Sequence, residues 1–69
     1  MITPDERTRA VLKTREFLIA LTNSARMSDV PETMRQRAET LLRYYPEVAD
    51  MAIAHNSCSH WFGPPDSTA

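Results

Sequence analysis

The sequence predicts an all-α fold: an antiparallel helical hairpin closed by a short third helix. Three observations predict it. Apolar residues recur at three- and four-residue spacing. A proline opens each periodic segment, at Pro4, Pro31 and Pro46, where the first turn of a helix tolerates it. No stretch alternates polar and apolar residues convincingly enough for a strand. A chain of 69 residues makes one domain, here 1–69. Its single cysteine excludes an internal disulfide, so a metal or another subunit would have to supply any staple.

The first helix is expected at about residues 4 to 22. Thr3 can cap it, Pro4 suits its first position, and Glu6 stands three residues after Thr3, as a capping box requires. Asp5 and Glu6 also face the positive end of the helix dipole. Val11, Leu18 and Leu21 form the apolar stripe, with Ala10 and Phe17 on an adjoining row and Leu12 and Ile19 one step round. The helix should end near Asn23 and Ser24, where "NSARMSD" reads as a loop.

The second helix, about 31 to 44, is the cleanest amphipathic pattern. Val30, Met34, Ala38, Leu41, Leu42 and Tyr45 share one face; Glu32, Arg35, Gln36, Glu39 and Arg43 occupy the other. Glu39 and Arg43 have the favourable i,i+4 orientation. Pro46 then ends that helix and is expected to start a third, about 46 to 56, with Val48, Ala49, Met51, Ala52 and Ile53 apolar. Residues 57–69 read as an irregular tail, because Gly63-Pro64-Pro65 is a stop and "DSTA" resembles a frayed terminus. The large core residues should be Val11, Phe17, Leu18, Leu21, Met34, Leu41, Leu42, Tyr45, Met51 and Ile53. Leu12, Ile19, Tyr44, Trp61 and Phe62 find no obvious place inside, and a homodimer built as a helical bundle would bury them.

Residues 2 to 46 resemble a family of short proteobacterial proteins of unknown function. The resemblance rests on Thr3-Pro4-Asp5-Glu6-Arg7-Thr8-Arg9-Ala10, Thr14-Arg15-Glu16-Phe17-Leu18, Val30-Pro31, Arg35, Arg37-Ala38, Leu41-Leu42-Arg43 and Tyr45-Pro46. It implies a cytoplasmic helical protein with no known catalytic activity, and it gives no substrate or mechanism. The segment "HNSCSHWFG" (55–63) departs from the family pattern until Phe62-Gly63.

Charge is segregated along the chain. All eight basic residues lie between Arg7 and Arg43, where four carboxylates oppose them and leave +4; five carboxylates elsewhere contribute −5. The arginine-rich helix faces, with Arg7, Arg9, Lys13, Arg15, Arg35 and Arg37, could track phosphates. The connection before the second helix is too long for a helix-turn-helix, and the acidic ends would repel a nucleic-acid backbone. His55, Cys58 and His60 are zinc-type donors, but a structural zinc site needs a fourth, from Asp50, Asp66, water or a dimer mate. Cys58 with His55 or His60 lacks the scaffold that nucleophilic catalysis requires. With one glycine there is no phosphate-cradling loop. No enzyme activity and no cofactor are expected.

Arg43, Tyr44, Trp61 and Phe62 have the composition of a protein-binding hot spot. No secretory signal is visible and the longest apolar run, 17–21, is too short for a bilayer. The expectation is therefore a cytoplasmic, non-enzymatic protein-binding regulator, without membrane contact, acting as a homodimer on another protein's surface. A phage- or mobile-element-encoded inhibitor of a host protein would have this size and surface. The alternatives are a nucleic-acid-associated regulator and a metal-binding sensor.

Overall fold

The computed structural model describes residues 2–23 and 28–65. Residues 24–27, including Arg26 and most of the expected loop, and the end of the chain from Asp66 lie outside the described residues. The fold is all-α, with α1 (Pro4–Thr22), α2 (Glu32–Tyr44) and α3 (Val48–Ser57).

The capping box of α1 forms. The Thr3 hydroxyl accepts from the Glu6 N–H at 3.2 Å, and the Glu6 carboxylate accepts from the Thr3 N–H at 2.9 Å, so two otherwise orphaned donors are satisfied. The second of these bonds favours the ionised carboxyl. The Thr3 backbone N–H, its hydroxyl and the nearby Arg9 charge hold Glu6 below the ordinary carboxylate range, against a smaller opposing effect of desolvation.

α2 runs antiparallel to α1, and two side chains fix the register. The Arg35 guanidinium donates to the Leu21 carbonyl at 3.1 Å, and the Tyr45 hydroxyl donates to the Val11 carbonyl at 3.0 Å. Each bond spans the pair at a different height, ten residues apart on both helices. Arg35 corrects the sequence reading, which placed it on the solvated face of α2. It is 9% exposed. The reason is local: α1 has no basic residue in its own last turn, and its final carbonyls need donors. Arg35 supplies one from the neighbouring helix while its stem covers apolar surface.

α3 starts at Val48 rather than at Pro46. Glu47 is its N-cap, and the Asp50 carboxylate accepts from the Glu47 N–H at 2.8 Å. Pro46 lies outside the helix and holds Tyr45 extended. Arg15 reaches across from α1 to Glu47, 3.3 Å away.

The core is small. Leu18, Ala38 and Met51 are the buried hydrophobic residues among those described, joined by Thr8, which is fully buried. Val11, Leu21, Leu42 and Tyr45 are half-buried. Four expected core residues are not in the core: Phe17, Met34, Leu41 and Ile53 are all more than half exposed. A helical stripe records which side chains are apolar, not how wide a neighbour lies over them. Here α1 and α2 cover one edge of each other's stripe, and short α3 covers little more. The radius of gyration, 13.7 Å, exceeds the roughly 11 Å expected of a compact chain of this length.

Candidate functional site: the tail and the end of the hairpin

Residues 58–65, expected as part of an irregular tail, fold back onto the hairpin. The Cys58 carbonyl accepts from the Trp61 and Phe62 N–H groups, both at 3.0 Å, and this turn sends the chain back onto the start of α1. There Gly63 donates its N–H to the Pro4 carbonyl at 3.0 Å, and its own carbonyl accepts from the Thr8 hydroxyl at 2.9 Å. Gly63 is buried, and its φ is not positive. Glycine is needed for space: a Cβ at this position would stand 2.9 Å from the Asp5 Cα, in backbone that the capping box fixes.

Arg7 locks the turn from above. Its guanidinium donates to the Trp61 carbonyl at 2.6 Å and lies over the indole ring, 4.6 Å from the centroid. His55 on α3 holds the other side, with Nδ1 2.9 Å from the Phe62 carbonyl, so Nδ1 carries a proton and donates. Thr8, Arg7, His55 and Gly63 therefore form a clasp that the sequence did not reveal. One signal was available: Thr8 is a polar residue on the same side of α1 as Val11 and Leu12, and it needs a buried partner.

The expected binding residues lie on two segments, the tail and the end of α2. Trp61 is 58% exposed despite its contact with Arg7, and Phe62 is half-buried under the turn. Arg43 and Tyr44 close α2 at the height of the middle of α1, with Tyr44 81% exposed on the side turned away from α1.

The described basic residues are not presented together. Arg7 is engaged with Trp61, Arg15 with Glu47, and Arg35 is buried against the end of α1. Lys13 pairs on the surface with Glu16 at 3.2 Å. Arg9 and Arg37 are exposed on different helices. Nor are the zinc-type donors assembled. His55 is turned to Phe62, Cys58 and His60 are exposed, and no group of three His, Cys, Asp or Glu among the described residues could hold a metal ion. Asp66, a candidate fourth ligand, lies outside the described residues.

An open depression of about 500 Å³ runs along α2, lined by Thr33, Gln36, Arg37, Thr40 and Leu41. That lining holds no carboxylate, imidazole or thiol to act as acid, base or nucleophile. No described helix is long and apolar enough to cross a membrane. In comparisons with known proteins, no family model, no curated protein and no solved structure matches the chain.

Proposed function

We propose that this chain is a non-enzymatic protein-binding module, working as a homodimer, that acts by covering a surface of another protein. One observation carries the reading. Among the described residues nine large apolar side chains are at least 36% exposed, whereas three hydrophobic residues are buried. Scattered exposed apolar residues are ordinary, but a chain this small that keeps so many large apolar groups at its surface is built to meet another macromolecule. The end of the hairpin is the surface for the partner. Trp61 is a rigid aromatic anchor, held by Arg7 and by the clasp beneath it, and held aromatics lose little entropy on binding. Tyr44 and Arg43 extend it.

The nucleic-acid reading is weaker because Arg7, Arg15 and Arg35 are spent on internal bonds. The test is capture by tagged protein at moderate and high salt, with Tyr44→Ala as the discriminating variant, since Tyr44 makes no bond that the fold needs. The proposal expects one protein retained at high salt by the wild type and lost by Tyr44→Ala. Recovery of nucleic acid alone, released by salt, would overturn it.

A further inference from the structure

Two separate sets of bonds hold α3 and the tail. One set stays within residues 47–65. His55 donates to the Phe62 carbonyl, and the Trp61 and Phe62 N–H groups donate to the Cys58 carbonyl at the end of α3. These bonds make α3 and the tail one body. The other set fastens that body to α1. At the far end Arg7 donates to the Trp61 carbonyl, Thr8 to the Gly63 carbonyl, and Gly63 to the Pro4 carbonyl. At the near end stands the Arg15–Glu47 pair, open to solvent on the Glu47 side, and such pairs hold weakly.

Between those ends α3 is lightly seated. The α1 and α2 backbones run close together, whereas that of α3 comes to theirs at no more than a touch. Among the described residues no side chain of α3 hydrogen-bonds to α1 or α2. Met51 is the large side chain that α3 buries, while Val48 and Ile53 are both more than half exposed. The link back to α2 is extended at Tyr45 and at Glu47, with Pro46 between them.

We propose that residues 47–65 form a hinged arm, pivoting at Pro46 and latched to α1 through Pro4, Arg7 and Thr8, that opens as one unit while the hairpin stays paired. The hairpin keeps bonds of its own, Arg35 to Leu21 and Tyr45 to Val11, and these do not involve the arm. A segment with few buried apolar contacts opens at a lower free energy than the whole molecule. The arm has one large buried apolar side chain and a latch made of polar bonds. Opening uncovers Met51 and the start of α1 together, so the latch decides whether those groups are hidden or presented. The device is independent of what the exposed aromatic residues bind.

Native-state hydrogen exchange on the full chain, at increasing but sub-denaturing urea, tests this, with Tyr45→Phe as the variant. A released helix of 10 residues is too short to persist alone in water, so opening the arm exposes the α3 amides as well as that of Gly63. Wild type is expected to show one protection and one urea slope for Gly63 and residues 52–57. Both should be smaller than those in the middle of α1 and α2, where protection should be at least about tenfold higher. Tyr45→Phe weakens the hairpin equally with the arm closed or open. Exchange in α1 and α2 should therefore quicken about fivefold, the factor that one hydrogen bond corresponds to, with Gly63 and α3 unchanged. Different protections and slopes for Gly63 and α3 overturn the proposal, because tail and helix then open separately. Gly63 and α3 amides as protected as those of α1 and α2, and quickened with them by Tyr45→Phe, overturn it as well, because the chain then opens only as a whole. If Tyr45→Phe does not fold, the wild-type slopes decide.

Discussion

Replacing Gly63 with alanine is the sharpest perturbation of the clasp, because its effect is one of space alone. Gly63 has an ordinary backbone conformation, so alanine meets no torsional objection. The new methyl would meet the Asp5 side chain, which can swing away, and the Asp5 Cα at 2.9 Å, which cannot without disturbing the first turn of α1. Either the turn absorbs the overpacking, at about 1–3 kcal/mol, or Gly63 lifts and forfeits its two hydrogen bonds to α1. Those contribute about 0.5–1.5 kcal/mol each. Both routes cost about 1–3 kcal/mol, a large share of the roughly 3–10 kcal/mol that a chain of this length commands. Trp61 is the sole tryptophan, and its fluorescence reports the tail while ellipticity at 222 nm reports the helices. Gly63→Ala should lower the midpoint seen by Trp61, with the helical signal falling less or later. Thr8→Val, which keeps the shape and removes the hydroxyl, should act in the same direction. If both variants melt like wild type by both probes, the clasp does not hold the tail.

Three further outcomes follow from bonds between and within the helices. Arg35→Ala removes the donor to Leu21 and a buried stem, and should lower stability in urea by about 1–3 kcal/mol; an unchanged midpoint would return Arg35 to the solvated face. Tyr45→Phe deletes the bond to Val11 while keeping the ring, and should cost about 1 kcal/mol in the same assay. Glu6 has a folded pKa below its unfolded value, so its contribution is present above the ordinary carboxylate pKa of about 4.3 and is lost as pH falls through the folded value. Acidification should therefore lower the melting temperature of the wild type more than that of Glu6→Gln; parallel curves would refute the assignment.

What was legible in the sequence was mostly local. The Thr3–Glu6 box lies within four residues, so its geometry depends on nothing distant, and α1 begins where that pattern says. The start of α3 was misplaced by two residues because Pro46 suits a first turn, whereas the Glu47–Asp50 pair, one residue later, decides the cap. Arg35 was misassigned because its charge was weighed ahead of its position: it stands three residues before Ala38 and seven before Leu42, beside the apolar face of α2. The overestimate of the core at Phe17, Met34, Leu41 and Ile53 has another origin: periodicity gives a stripe, and coverage depends on how many helices share it. Gly63 was read as a stop when it is a docking point, since close approach to Asp5 is a contact between residues far apart in sequence.

The clasp also orders events in time. Arg7 and Thr8 find their partners 54 and 55 positions downstream, whereas α1 and α2 are neighbours in the chain and can pair while synthesis continues. Contacts of such long separation form after local ones, since the intervening loop must first be closed. The buried hydroxyl of Thr8 therefore stays hydrated until Gly63 has left the ribosome. Until residues 58–63 dock, the start of α1 stays open to solvent, and a segment more than fifty positions downstream completes the environment of Arg7 and Thr8.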